Sequence, residues 1–389
     1  AYEGANGCVA LGVEARPGAN RFTEYHYHGQ FGFYLSLSYE GHTRVQGVYR
    51  LPAIGFDFAG DEYQALAAHV QALVNRGYVN HISGHSPADW WSQPIFCGWG
   101  AQNYEAAVGK GKGRDYARQS QYETFLATLK AHNVSPGIVV VDDKWQAEYG
   151  ENQVDEEKWP DLKGFIVKQH EEGKKVLLWM KAWDPEGLPA AECIRNAAGL
   201  PIALGPSHPV CAKRIRGFIR RLLGADGHDA DGFKIDFSAR IPSGPGHQLY
   251  GDVWGLELMK LYLKIIYDEA KKTKPDALII THTPHSYLAD VVDMLRLNDI
   301  NIGSDVNRAM THRAKVARIA CPQALIDTDN WPMADKKTWR EYLKLQPALG
   351  VPACYVVNHI DTTQEPLVDE DYRLLNAIWE KYRTKVQST

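Results

Sequence analysis

The chain has 389 residues, and its 43 lysines and arginines against 47 aspartates and glutamates leave a formal net charge of −4. That balance gives no basic field to attract nucleic acid. No run of about 18 apolar residues is available to cross a membrane as a helix.

Residues 1–60 read as a small antiparallel β region. Residues 31–39 alternate apolar and polar, Glu40-Gly41-His42 makes a turn, and residues 43–51 are expected to return as the second arm of a hairpin. Residues 61–93 read as a linker helix and loop. Asp61 is placed to cap the helix, Leu66, Val70, Leu73 and Val74 share one face, and Gly77 ends it. His81, His85 and Trp90 follow.

From Pro94 to the C-terminus the pattern becomes regular. Strands are expected at 95–99, 138–142, 176–179, 233–237, 278–282, 294–297, 324–328 and 354–358. Helices are expected between and after them, at 116–132, 162–172, 212–223, 256–272, 308–320, 336–345 and 371–383, with only a short helical stretch at 287–293. Eight strands alternating with helices over residues 94–389 predict an α/β fold, a (β/α)8 TIM barrel behind the N-terminal β region. A doubly wound sheet would want a glycine-rich phosphate turn after an early strand. None is present, and Gly109-Lys-Gly-Lys-Gly113 reads as a loop.

Barrel chemistry sits where strands end at the C-terminal face. Those ends supply Trp99; Asp142, Asp143, Lys144 and Trp145; Trp179, Lys181, Trp183 and Asp184; Lys234 and Asp236; His282 and His285; Arg296 and Asp299; Asp327 and Asp329; Asn358 and His359. Carboxylates accept hydrogen bonds from hydroxyls and indole faces stack on pyranose rings, so such a mouth suits an oligosaccharide or glycoside. The stretch 231–237, Asp-Gly-Phe-Lys-Ile-Asp-Phe, puts Lys234 and Asp236 on one face of a strand, where a cation is expected beside the anion. The pair reads either as a buried structural ion pair or as a catalytic carboxylate with its cation. Two carboxylates flanking one bond are the minimum for glycoside hydrolysis, and Asp236 and Asp299 come from strands four and six.

No metal or cofactor is expected. His81, His85, His282 and His285 lack the close His-x-His or His–carboxylate spacing of metal-dependent barrels. The six cysteines (Cys8, Cys97, Cys193, Cys211, Cys321 and Cys354) form no Cys-x-x-Cys pair and read as buried free thiols. That leans toward a reducing compartment such as the cytoplasm. The sequence shows no secretory signal but begins at Ala1 rather than Met, so localisation stays open.

The motifs Asp142-Asp143-x-Trp145, Lys234-x-Asp236 and Arg296-x-x-Asp299, in that order on strands two, four and six, resemble clan D of the retaining glycoside hydrolases. Within it they look most like the branch of α-galactosidases and raffinose-type galactosyltransferases. The resemblance implies a covalent glycosyl-Asp mechanism, with Asp236 as nucleophile and Asp299 as acid/base. It implies that Asp142 and Asp143 read the 4- and 6-hydroxyls of galactose, Lys234 the 3- and 4-hydroxyls, and Arg296 the 2-hydroxyl. Trp99 would line the pocket, and Asp329 would be a rim residue after strand seven. Trp145, Trp179, Lys181, Trp183 and His282 complete the expected substrate-binding set. The Arg296–Asp299 spacing is one residue shorter than is usual in the family, which makes Asp305 the alternative acid/base. Asp293 precedes strand six and belongs at the far end of the barrel. The implied activity is hydrolysis of terminal α-linked galactose. Transfer to another sugar, an α-glucosidase of the same clan and a non-catalytic sugar-binding barrel are the alternatives.

Overall fold

Eight short apolar runs close into a ring because each is buried on both faces. Ile138–Val141 is buried throughout, and Lys175–Lys181 is buried except at its two lysines. The computed structural model describes residues 2–4, 7–29, 32, 34–80 and 87–387. Within it the ring strands, in chain order, are Ile95–Cys97, Ile138–Val141, Lys175–Lys181, Gly232–Asp236, Leu278–Thr281, Met294–Arg296, Leu325–Asp327 and Ala353–Cys354. All neighbours are parallel and pair in sequence order, the eighth returning to the first. The seventh meets the eighth through Val351, whose N–H donates to Ile326 O at 2.7 Å and whose carbonyl accepts from Thr328 N at 3.1 Å. The expected (β/α)8 architecture is therefore the observed one.

Strand alternation sorts the core into two layers. Ile95, Cys97, Ile138, Val140, Leu177, Leu278, Ile280 and Met294 fill the ring interior. Phe96, Val139, Val141, Leu178 and Phe233 face outward against the helices. The helices lie close to where the periodicity puts them, from Gln119–Ala131 to Asp369–Gln387. The weak stretch after strand five is a 3-10 turn, Ser286–Val291. One helix was not expected. The chain leaves the first strand at Cys97 and enters a helix at once, Trp99–Gly109, which ends on Lys110 at φ 57°. Trp99 therefore opens a helix rather than ending a strand, and Gly109 closes that helix rather than opening a loop.

At the N-terminus, strands Tyr2–Gly4, Gly7–Glu14 and Ala53–Ala59 form an antiparallel sheet. Cys8 and Ala10 of that sheet pack on Ala65 of helix Glu62–Asn75, whose first turn is capped by Asp61. The expected hairpin is displaced: Tyr34–Ser38 pairs backward with Glu24–His28, and residues 43–51 form no strand. Glu40 and Gly41 at φ 51° and 78°, and then Gly47 at 83°, turn the chain away from a return ladder. Phe31, Phe33, His81 and His85 lie outside the described residues. The N-terminal part is tied to the barrel's outer helices by Arg21 on Glu257 at 2.7 Å and by Tyr63 with His312 at 2.9 Å.

The N-terminal end of the ring is held by two buried carboxylates. Asp293 accepts from Lys271, Tyr267 and the Ile279 N–H, so it lies at the opposite end from the strands' C-terminal residues. Asp231, fully buried, accepts from His170 at 2.6 Å, the Val176 N–H at 2.8 Å, Lys175 at 3.1 Å and Lys274 at 3.3 Å. Burial pushes its pKa up, but the His170 hydrogen bond and Lys274 outweigh that and hold it below the ordinary carboxylate value. Its stabilising effect is therefore present above the unfolded pKa of about 3.9 and lost as pH falls through the lower folded value. Asp231→Ala should cost about 1–3 kcal/mol at pH 7, because it leaves the buried Val176 N–H without its acceptor and the partly buried His170, Lys175 and Lys274 without this carboxylate. The difference should shrink toward pH 2. Denaturant midpoints at the two pH values check this, and equal midpoints for variant and wild type at pH 7 would contradict it.

Candidate active site

Arg296, at the end of the sixth strand and almost fully buried, gathers the polar residues of the mouth. Its Nη1 donates to Asp299 Oδ1 at 2.8 Å and Asp329 Oδ2 at 2.6 Å, and its Nη2 to Asp236 Oδ1 at 3.0 Å and Asn298 Oδ1 at 2.9 Å. The three carboxylates differ in access: the side chains of Asp299, Asp236 and Asp329 are 55%, 19% and 0% exposed. Asp329 is anchored further by the Asn330 and Trp331 N–H groups, and its own N–H donates to Asp327. Burial and the Asp329 charge push Asp327 up to about 6.

Asp236 ends the fourth strand. Its Oδ1 also accepts from the Phe237 N–H at 2.8 Å, its Oδ2 faces Trp179 Nε1 at 3.3 Å, and His282 Nε2 stands 3.5 Å from Oδ1. Burial alone would raise its pKa. The Arg296 guanidinium, then Lys234 and His282, reverse that and hold the carboxyl well below the usual range. The cation in contact with Asp236 is thus Arg296 and not Lys234. Lys234 does share a strand face with Asp236, but its ammonium reaches across the ring to Asp142 Oδ2 at 2.7 Å and Cys97 Sγ at 3.4 Å. It acts on Asp236 only through its field. His282 is lowered to about 4 by burial first and then by Arg296, so it is neutral at neutral pH.

The two aspartates after strand two have different surroundings. Asp142 is buried, accepting from Lys234, Cys97 and the Asp143 N–H. Asp143 is part-exposed and accepts from Tyr149 Oη at 2.7 Å. Burial raises it to about 6, against the pull of that hydrogen bond. Lys144 pairs with Glu186 and Lys181 with Asp184. Trp99, part-exposed, meets Trp331 edge to face at 5.7 Å, and Trp331 Nε1 donates to Asp361. Trp145 and Trp183 lie in the core rather than on the mouth, with their indole N–H groups on the Trp179 and Ser238 carbonyls. His285 caps the Ser286–Val291 turn, His359 stacks on Tyr104, and Asp305 caps helix Val306–Ala320 through the Arg308 N–H. Cys97, Asn298 and Tyr149 were missed by sequence reasoning. Cys97 carried a signal, since it ends a strand beside the site. Tyr149 sits in an irregular loop with none.

No known family model matches the chain, and no curated protein matches it in sequence. Solved structures do. An α-galactosidase from Thermus thermophilus superimposes with a TM-score of 0.63 at 15% identity, over 95% of this chain and 73% of that one. A cycloalternan-degrading enzyme from Trueperella pyogenes also gives 0.63, at 11% identity over 88% of this chain and 54% of its own. A cycloalternan-forming enzyme from Listeria monocytogenes gives 0.57 at 12% identity over 85% of this chain. The present chain spans about a third of that Listeria enzyme, 34% of its length. At such identities the likeness shows a shared fold, the barrel on which these glycoside-processing enzymes are built.

Proposed function

We propose that the chain is a retaining exo-α-glycosidase acting on terminal α-linked galactose. The observation that carries this reading is the sharing of one buried guanidinium by Asp236 and Asp299. One of these carboxylates is recessed and held ionised, and the other is open to solvent. Asp236 attacks the anomeric carbon and forms a glycosyl ester while Asp299 protonates the departing oxygen. Asp299 then takes a proton from water, which hydrolyses the ester. A retaining pair works at a separation of about 5–5.5 Å. Asp143, the accessible member of its pair, reads sugar hydroxyls, and the buried Asp142 sets the direction of Lys234. Trp99, part-exposed, supplies a ring face at the pocket wall, and the buried Trp179 backs Asp236 with its indole N–H.

The likeness to the Thermus α-galactosidase supports galactose as the sugar. A second reading, an α-glucoside substrate, is favoured by the likeness to a dextranase of Flavobacterium johnsoniae and to the cycloalternan enzymes. A panel of nitrophenyl α-glycosides separates the two. A site built to bond an axial 4-hydroxyl should prefer the α-galactoside by more than about tenfold in kcat/KM. Equal or faster cleavage of the α-glucoside would move the assignment to the second reading, and no turnover of any member would remove both.

A further inference from the structure

Tyr149 belongs to no ring strand, yet several contacts of the mouth converge on it. Its hydroxyl donates to Asp143 Oδ1 at 2.7 Å. Lys144 Nζ and Lys181 Nζ stand 3.9 and 4.4 Å from the centre of its ring. Each ammonium is anchored on a carboxylate, Lys144 on Glu186 at 2.6 Å and Lys181 on Asp184 at 2.7 Å. The Tyr149 N–H donates to the same Glu186 at 2.9 Å, which fixes the backbone too. The ring meets Trp179 at 5.9 Å and 61°, and Trp179 is the indole whose N–H faces Asp236. A continuous line of contacts therefore runs from Asp143 through Tyr149 and Trp179 to the candidate nucleophile.

We propose that Tyr149 is a positioning residue for the sugar: it holds the Asp143 carboxylate in one orientation at the mouth, and Lys144 and Lys181 clamp its ring to keep that wall fixed. The proposal rests on the glycosidase reading above. A carboxylate terminus rotates over a broad well, so its direction is set by the donors it meets. Tyr149 is the side-chain donor that the structure gives Asp143. The other charged groups acting on Asp143 are Asp142 from its own strand end, Lys181 from the third strand and Arg114 from the turn Gly113–Tyr116. Asp142 favours the protonated carboxyl, and the two cations and the tyrosine favour the ionised one.

Tyr149→Phe tests this, because it keeps the ring under both ammoniums and removes the hydroxyl that donates to Asp143 and also meets Arg114. The first readout needs no substrate: in protein labelled with 13C at the aspartate carboxyls, the Asp143 resonance is assigned with Asp143→Asn and titrated. Loss of the hydrogen bond should raise its midpoint above the wild-type value of about 6. The second readout is steady-state kinetics on nitrophenyl α-galactoside. KM should rise roughly tenfold, the size of one charge-assisted hydrogen bond, with kcat nearly unchanged. The acid limb of kcat/KM should move to higher pH. An unmoved Asp143 midpoint overturns the proposal, and so does an unchanged KM with a fallen kcat. If the wild-type chain turns over no α-glycoside, the role toward sugar falls together with the function. If it does turn over substrate and Tyr149→Phe changes neither readout, the proposal alone falls.

Discussion

Asp236→Ala is expected to lower kcat/KM by on the order of 10⁴-fold or more, as for an essential member of a catalytic unit. The expectation comes from the surroundings of the carboxylate. Asp236 is recessed at the end of the fourth strand, bonded to Arg296 and to the Phe237 N–H, with the Trp179 indole on its other oxygen. Burial works against its charge, but Arg296 and Lys234 keep it ionised across the neutral range. A nucleophile that must attack without first losing a proton needs that state. Its folded pKa lies so low that loss of activity between pH 7 and pH 5 must come from another group. The variant should still fold, because Arg296 retains Asp329 and Asp299. Azide should restore part of the activity and give the β-glycosyl azide from an α-substrate, since it occupies the space of the missing carboxylate. Turnover near the wild-type level would remove Asp236 from the role.

Asp299→Ala should show a different signature, dependent on the leaving group. General acid catalysis contributes about 10²–10⁴-fold, and only where the departing oxygen needs a proton. Natural oligosaccharides should slow by that order, while activated nitrophenyl glycosides should keep most of their first-step rate. Azide should here give the α-azide, by attacking the glycosyl-enzyme. The local backbone brings Asp299 to Arg296 despite the short spacing between them. Asn298 adopts φ 68°, which turns the chain back at once, and Asp299 reaches the Arg296 guanidinium from three residues downstream. Arg313 then fixes the turn by donating to the carbonyls of Leu297, Asn298 and Asp299 at 3.0, 3.0 and 2.8 Å. Asp305 is engaged as a helix cap, so Asp305→Ala should cost about 1 kcal/mol of stability and leave the leaving-group dependence as it is. The reverse pattern in the two variants would transfer the acid to the loop.

The sequence by itself determined the ring. A strand buried on both faces is mostly apolar, so runs such as Ile138–Val141 stand out from the chain. Polar residues just after most of these runs, such as Asp142 after the second and Asp236 at the end of the fourth, mark the mouth. It also determined local caps such as Asp61, because a cap and the N–H groups it satisfies are only two and three residues apart. Partnerships across the ring were decided only by the tertiary structure. Lys234 and Asp236 are neighbours in sequence, but the longer reach of the lysine takes its charge to Asp142, 92 residues away, while Asp236 receives Arg296 from 60 residues downstream. The same holds for the N-terminal sheet, where Gly7–Glu14 pairs with Ala53–Ala59 across an intervening hairpin. Whether a tryptophan near a strand end is part-exposed or buried, as with Trp99 against Trp145, was likewise decided only by the tertiary packing. Periodicity is a property of neighbouring residues and is written along the chain. Which charges meet depends on ring closure, which brings the ends of strands two, four, six and seven to one place without any local signal.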